Sequence, residues 1–345
     1  MSDREDIRGH DLGPMGAREM QPAILRIGVA IAAFDRPKHL SACLEHLEIS
    51  FGASARLPVH IYQDAPQGAP SHGWKATNAV ARHYPHGTLV LRERHVGMFN
   101  VTQSISDLLA SYDAVISLED DVCVSVDFIA FMVDCLRRYA ECEDVFSVCG
   151  EQFDFPELAA QPEHILFARF FLRHGFGVWR RSWRLYDPAC PGFERLAMDE
   201  RLSREFNIFG GGFLSDLLIK VCRTDEPVYD LRWYFNMVSR DGFSAMSTRS
   251  LIFNRGYSGG TQLRSRLFSP LRGWARIAWR LGFGSLLYQR FYRGRARLAG
   301  SQAVRRGEPV LENDRTAGFV HSDYAARREQ HRKYARLLQR RRKTS

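Results

Sequence analysis

Short apolar runs alternate with longer stretches of helical periodicity in the first half of the chain. Each run is rich in β-branched residues and is bounded by polar or turn residues, which predicts a buried strand. The runs are 27–34, 58–63, 88–92, 114–118 and 145–149, and the helical stretches are 39–47, 74–83, 101–110 and 128–139. Strands that alternate with helices of this length predict an α/β fold with a mostly parallel sheet flanked by helices.

Polar residues follow the predicted strands where a ligand would bind. In parallel sheets of this kind, ligands bind at the carboxyl ends of the strands. The loops that begin at Asp35, Asp64, His95 and Glu119 each follow a predicted strand. We therefore expect these four loops to converge on one crevice.

Composition divides the chain into three zones. Residues 1–25 are predicted to be a disordered lead-in, and residues 26–263 a single domain. Within that domain, 26–150 form the nucleotide and metal half, and 151–263, where aromatic residues are dense, form the acceptor half. Residues 264–345 are predicted to be a basic helical tail.

The positive charge of the protein is concentrated in that tail. The formal charge is +9, from 48 Lys and Arg against 39 Asp and Glu. The tail holds 21 of these basic residues and 5 of the acidic ones, so it carries +16 and the preceding residues carry −7. Arg272, Arg276 and Arg280 share one helical face, and Trp274 and Trp279 lie between them. Two interpretations stay open: an interfacial helix on an anionic membrane surface, or a helix packed on the domain with a solvated arginine edge.

Targeting and redox signals favour a cytoplasmic protein, with a peripheral position at the inner face of the membrane. Residues 1–26 contain no apolar segment typical of a signal peptide, and no window offers 18 uninterrupted apolar residues. The seven cysteines are odd in number and show no CxxC spacing, which predicts reduced thiols. Nucleic acid is not an expected partner, because no nucleic-acid-binding motif is present.

Three consecutive carboxylates follow the fourth predicted strand. Glu119, Asp120 and Asp121 end the apolar run 114–118, where like charges repel and are costly to desolvate. A hard cation such as Mn²⁺ or Mg²⁺ relieves this repulsion, and it commonly completes its coordination with substrate phosphates. The triplet therefore predicts a metal–nucleotide site. The alternative is an exposed acidic loop.

Asp230 is the best candidate for a general base. It lies at a predicted helix start between Tyr229 and Trp233, whose aromatic rings favour desolvation of a carboxylate. Its other interpretation is a helix N-cap.

Six short motifs occur in an order that resembles a known enzyme family. They are Ala-Ala-Phe-Asp-Arg-Pro at 32–37, Ile-Tyr-Gln-Asp at 61–64, Arg-His at 94–95, Leu-Glu-Asp-Asp at 118–121, Tyr-Asp at 229–230 and Gly-Tyr-Ser-Gly-Gly at 256–260. Over residues 26–262 this pattern is similar to the GT-A (Rossmann-like) glycosyltransferases, specifically the N-acetylglucosaminyltransferase I family. The segment 174–179 is closer to related bacterial sugar transferases.

The resemblance implies a role for each matching residue. Arg36 would contact the donor diphosphate, Asp64 the uracil and His95 the base. Asp120 would hold the ribose, Asp121 would ligate the metal directly, and Glu119 would lie near the transferred sugar. Asp230 would be the general base, and Ser258 would lie in a loop that closes over the diphosphate.

The implied activity is inverting, metal-dependent transfer of a sugar from a UDP-sugar to the hydroxyl of a glycan or lipid-linked glycan. GlcNAc is the default sugar of that family. Two alternatives stay open: a nucleotidyltransferase acting on a sugar phosphate, and a non-catalytic, membrane-associated adaptor with a degenerate transferase fold.

Overall fold

A large mixed sheet forms the centre of the protein. The computed structural model of the chain describes residues 24–54, 56–153, 155–256, 304, 309–311 and 318–344. Within them, the strand order is β3-β2-β1-β4-β8-β6-β9-β7. These strands are β1 Ile27–Ala33, β2 Val59–Gln63, β3 Gly87–Leu91, β4 Ala114–Glu119, β6 Val145–Cys149, β7 Ile165–Ala168, β8 Phe176–Trp179 and β9 Phe243–Ser247. A separate antiparallel ribbon pairs β5 (Val122–Val124) with β10 (Ile252–Asn254).

Helices cover the sheet on both faces. They are α1 Pro37–Gly52, α2 His72–His83, α3 Phe99–Leu109, α4 Phe128–Arg138, α5 Pro156–Ala159, α6 Arg180–Trp183, α7 Glu200–Phe206, α8 Phe213–Thr224, α9 Tyr229–Val238 and α10 Arg327–Thr344, with a 3₁₀ turn at Phe193–Ala197. Alternate residues of β1 point to opposite faces. Val29 and Ile31 pack in the cluster that contains α1 and α4, whereas Ala30 packs in the cluster that contains α3 and α9.

The α/β prediction, a large and mostly parallel sheet flanked by helices, is confirmed. β1 pairs in parallel with β2 and β4, β2 with β3, and β6 with β9. Two strands run antiparallel to their neighbours: β8, which lies between β4 and β6, and the edge strand β7, which pairs with β9. Hydrophobic periodicity predicts that a segment is a strand but not its neighbours, because strand pairing is a long-range contact.

The observed helices α1 and α2 begin a few residues before the predicted ones. The helix predicted over 39–47 begins at Pro37, whose fixed φ suits the first helical turn, and continues to Gly52. The helix predicted from residue 74 begins at His72, after the N-cap Ser71, whose hydroxyl accepts a hydrogen bond from the Trp74 amide at 3.0 Å.

The end of the basic tail packs onto the sheet. Tyr334 and Leu338 of α10 are 1% and 0% exposed, and the Tyr334 hydroxyl donates to Gln152 Oε1 at 2.9 Å. Upstream of α10, His321 Nε2 lies 2.6 Å from Asp134 Oδ2 on α4. Residues 318–344 are therefore part of the folded body. The predicted helix at 271–287, like most of residues 1–25, lies outside the described residues.

None of the helices described is both long and apolar enough to cross a membrane. The seven cysteines are all reduced, and all but Cys222 are buried.

Candidate functional site

The loops after β1, β2, β3 and β4 meet at one edge of the sheet. Asp120 donates its amide hydrogen to Ala32 O at 3.0 Å, and Asp64 donates to Ala33 O at 2.9 Å. These bonds join the first residues beyond β4 and β2 to the end of β1. The amides of Val96 and Gly97, in the loop after β3, donate to the Asp64 carboxylate, so this loop lies at the same edge, as the parallel order β3-β2-β1-β4 predicts.

Arg36 bridges the two aspartates of the acidic triplet. Its Nη1 lies 2.7 Å from Asp121 Oδ2, and its Nη2 bonds Asp120 Oδ1. Arg36 lies in the loop between β1 and α1, and the two aspartates follow β4. Because β1 and β4 are neighbours in the sheet, their ends bring these charges together. The triplet is consequently not an exposed acidic loop: the side chains of Asp120 and Asp121 are 1% and 10% exposed.

Burial makes this pair of carboxylates costly in the absence of a cation. Desolvation raises the pKa of Asp120 to about 7; Arg36 opposes the shift, and the neighbouring Asp121 adds to it. Among the described residues, Arg36 is the cation that pairs with these two buried carboxylates, and Glu119 adds a further negative charge to Asp120.

The oxygens of the triplet fit a divalent cation. Asp120 Oδ2 and Asp121 Oδ1 are buried and have no hydrogen-bond partner among the described residues. Buried polar atoms are normally paired, so such orphans point to a missing partner. Hard cations such as Mn²⁺ and Mg²⁺ prefer carboxylate oxygens. Asp121 is the better placed of the two to hold the ion, because it retains slight exposure.

The chain returns to Asp121 from the far end of the domain. The Arg255 amide donates to Asp121 O at 2.7 Å, directly after β10. A Cβ on Gly256 would lie 2.2 Å from Asp121 Oδ2, so only glycine permits this approach. The glycine-containing loop at 256–260 thus starts beside the triplet. Ser258 itself lies outside the described residues.

Asp64 organises the loop that carries His95. Its Oδ1 accepts from the amides of Ala65 and Val96, both at 2.9 Å, and its Oδ2 accepts from the Gly97 amide at 2.8 Å. His95 Nδ1 lies 2.9 Å from the same Oδ2, and the imidazole packs 5.3 Å from the ring of Phe34. Asp64 therefore has a structural task, and base recognition by Asp64 and His95 stays a prediction.

Glu119 and Asp230 approach the same crevice from different elements. The Tyr229 hydroxyl donates to Glu119 Oε1 at 3.5 Å, which places the start of α9 next to the end of β4. Asp230 lies in the first turn of α9, but Val228 is the N-cap and no side chain caps the helix. The N-cap interpretation of Asp230 is therefore wrong. Its Oδ1 is buried and lacks a partner among the described residues.

Three further side chains, those of Arg173, His174 and Glu151, lie in a line of contacts that leads to Asp230. Arg173 Nη1 lies 3.5 Å from Asp230 Oδ2, and Arg173 Nε donates to His174 Nε2 at 3.1 Å. His174 Nδ1 lies 3.0 Å from Glu151 Oε1. No local pattern singles out Glu151 or Arg173, because Glu151 lies 23 positions from His174 and Arg173 lies 57 positions from Asp230.

No protein-family model and no curated protein matches the chain. Two solved structures illustrate what it is similar to. The mannosyltransferase PcManGT from Pyrobaculum calidifontis, in complex with GDP-Man and Mn²⁺, aligns over 84% of this chain and 88% of that chain, with 12% identity and a TM-score of 0.36. GalNAc-T7, with UDP, GalNAc and Mn²⁺, aligns over 67% of this chain and 44% of that chain, with 10% identity and a TM-score of 0.41. The alignment thus spans less than half of GalNAc-T7.

Proposed function

We propose that this protein is a metal-dependent, inverting glycosyltransferase of GT-A type that uses a UDP-sugar donor. The observation that carries the proposal is the set formed by Arg36, Asp120 and Asp121. At the carboxyl edge of the sheet, Arg36 pairs with two buried carboxylates, each of which keeps one oxygen without a partner among the described residues. GlcNAc as the sugar, and a glycan or lipid-linked glycan as the acceptor, follow from the sequence resemblance.

The proposed roles divide the site into a donor side and an acceptor side. Asp121 would hold Mn²⁺ or Mg²⁺, and when bound the ion would stabilise charge on the departing diphosphate. Arg36, released from the two aspartates, would pair with the diphosphate. On the donor side, Asp120 would hold the ribose, and Asp64, His95 and Ser258 would complete the nucleotide contacts.

The reaction is a single displacement at the anomeric carbon. The acceptor oxygen forms a bond to that carbon as the bond to the diphosphate oxygen breaks, and the hydroxyl proton passes to Asp230. One base and no enzyme nucleophile are required, which suits inversion. The side chain of Asp230 is 19% exposed, so an acceptor hydroxyl can approach its carboxylate. Glu119, held by Tyr229, would face the transferred sugar.

Product analysis tests this function directly. Purified protein would be incubated with Mn²⁺, a panel of UDP-sugars and candidate acceptors, and free UDP and pyrophosphate would be measured separately. Release of UDP supports glycosyl transfer, whereas release of pyrophosphate supports the nucleotidyltransferase. If neither is released and Asp121→Ala leaves every cellular phenotype intact, the adaptor is supported.

Matched variants locate the activity in the site. Asp121→Asn should abolish metal-dependent donor binding, and Asp230→Asn should cut turnover about 10²- to 10⁴-fold while donor binding persists. Asp113→Asn is the control, because Asp113 precedes β4, at the opposite end of the strand, where it forms an exposed pair with Arg26. Retained turnover in Asp230→Asn would remove Asp230 from the role of base.

We further propose that the exposed face of α10 contacts an anionic membrane surface. Its arginines recur every four residues, which places them on one helical stripe. Tyr334 and Leu338 anchor the opposite face, so the stripe is presented rigidly. The stripe consists of the exposed residues Arg328, Arg332, Arg336 and Arg340.

Vesicle flotation tests the stripe. Neutralising its four arginines to glutamine should abolish binding to vesicles that contain phosphatidylglycerol, and added salt should weaken binding of the unmodified protein. Deleting the tail is a poor test, because α10 belongs to the core. The control neutralises four exposed cations elsewhere, Lys75, Arg82, Arg201 and Arg204. Equal loss in both variants, or salt-insensitive binding, would overturn the proposal.

A further inference from the structure

The turn before β8 is held rigidly against the end of β6. The Gly150 amide donates to Gly175 O at 2.9 Å, which ties the two strand ends together. Gly175 has φ +65°, and a Cβ there would lie 2.9 Å from Ile252 Cγ2 and 3.0 Å from Phe128. A side chain is therefore excluded on both conformational and steric grounds. The backbone of residues 173–175 is consequently fixed relative to the sheet.

Glu151 and His174 form a buried pair on this fixed backbone. His174 is 3% exposed, and its Nδ1 lies 3.0 Å and 3.1 Å from the two carboxylate oxygens of Glu151. The carboxylate also accepts from the His174 amide at 3.4 Å. This bifurcated hydrogen bond, together with burial of the ring, restricts the imidazole to one orientation. That orientation turns Nε2 toward Arg173.

Arg173 links the Glu151–His174 pair to Asp230, so that Glu151, His174, Arg173 and Asp230 form a row of contacting side chains. Its Nε donates to His174 Nε2 at 3.1 Å, while its Nη1 faces Asp230 Oδ2 at 3.5 Å. The guanidinium is planar and rigid, so fixing Nε also fixes the direction of Nη1. The side chains of Arg173 and Asp230 are 24% and 19% exposed, so the pair lies at the mouth of the crevice and is only partly screened.

We propose that Arg173 is the positioning residue for Asp230, and that the Glu151–His174 pair orients Arg173. The proposal rests on the function proposed above, in which Asp230 is the general base. The terminal torsion of an aspartate is broad, so a free carboxylate rotates between orientations. The contact of Arg173 with Oδ2 restricts this rotation and so keeps the carboxylate in one orientation toward the acceptor hydroxyl. Loss of this hold lowers the fraction of productive complexes without touching the donor side.

A double-mutant cycle separates positioning from simple structural support. We expect Arg173→Gln to lower kcat about 10- to 100-fold, with the KM for the UDP-sugar unchanged. Because Arg173 acts through Asp230, adding Arg173→Gln to Asp230→Asn should cause little further loss. Arg173→Lys keeps the charge but loses the planar fork, so it should rescue only part of kcat. Glu151→Gln should lower kcat in the same direction and by less.

Arg201→Gln is the matched control, because Arg201 forms exposed ion pairs with Glu205 and Asp241 away from this row. Melting of each variant, and its binding of UDP with Mn²⁺, are measured alongside kcat. If Arg173→Gln does not fold, Arg173→Lys carries the same cycle.

The outcomes distinguish this inference from the proposed function. The positioning role is overturned if the losses in kcat of Arg173→Gln and Asp230→Asn multiply fully in the double variant. It is also overturned if Arg173→Gln raises the KM for the donor and leaves kcat unchanged. In both cases glycosyl transfer stands. A wild-type protein that transfers no sugar to any acceptor overturns both.

Discussion

Replacing Gly256 by alanine is the sharpest perturbation of the proposed metal site that leaves every proposed ligand in place. The added Cβ would lie 2.2 Å from Asp121 Oδ2, whereas ordinary contacts begin at 3.4 Å. The carboxylate oxygen must therefore retreat by about 1 Å, or the loop must move by as much. Asp121 has little freedom to retreat, because Arg36 Nη1 holds the same oxygen at 2.7 Å.

The expected loss follows from the tolerance of metal coordination. Ligand distances vary by only about 0.2 Å in well-formed sites, and a misplacement of about 1 Å can cost about 10²-fold in rate. We expect Gly256→Ala to weaken Mn²⁺-dependent UDP binding about 10- to 100-fold, which corresponds to about 1.4 to 2.8 kcal/mol. Without metal, overpacking should cost about 1 to 3 kcal/mol of the free energy of unfolding.

The assay is thermal stabilisation of the protein as Mn²⁺ is titrated at saturating UDP, since a ligand that binds only the native state raises Tm. Gly52→Ala is the matched control, because a Cβ at the end of α1 meets nothing within 4 Å. Isothermal titration then gives the affinity of each folded variant. A folded Gly256→Ala protein with unchanged Mn²⁺ and UDP affinity would refute the placement of the metal at Asp121.

Three further predictions concern charge and packing. Arg36→Met should lower the stability of the metal-free protein by about 3 kcal/mol, because it leaves buried carboxylates uncompensated, and Mn²⁺ should restore more stability to this variant than to the wild type. Burial and the nearby Arg169 lower the pKa of His331 to about 4, so wild-type stability should fall as pH drops from about 6.5 toward 4, by up to about 3 kcal/mol. His331→Asn should lose less stability than the wild type between about pH 7 and about pH 5, as measured by urea unfolding at each pH. Leu338→Ala should cost about 3 kcal/mol in the same assay, because the side chain is fully buried.

Each of these has an outcome that contradicts it. An Arg36→Met protein as stable as wild type without metal would mean that the carboxylates are already neutral. An identical dependence of stability on pH in wild type and His331→Asn would show that the imidazole titrates normally in the folded state. A Leu338→Ala protein with an unchanged urea midpoint would mean that α10 is not part of the cooperative core.

The arrangement of Arg36 also suggests how the metal-free site stays folded. Arg36 neutralises part of the acidic triplet when no ion is bound, and in the proposed function it would become available to the diphosphate once an ion is held. The same side chain would then serve both states, because its guanidinium keeps its charge at any working pH and can bridge two oxyanions.

Local sequence determined the elements and the acidic triplet. Apolar runs and helical periodicity depend on neighbours a few positions apart, so β1 to β4 and α1 to α4 could be predicted to within a few residues. The same locality revealed the triplet, because Glu119, Asp120 and Asp121 are adjacent and their repulsion needs no tertiary contact to be recognised.

Only the tertiary structure decided which distant residues share the site. The antiparallel insertion of β8, the return of Gly256 to Asp121 and the row from Glu151 to Asp230 each join segments tens of residues apart. The same holds for the tail, whose charge pattern favoured a separate segment although Leu338 is buried in the core. Side-chain periodicity reports which face of an element is apolar, whereas partners are set by packing between elements, and that information is not local.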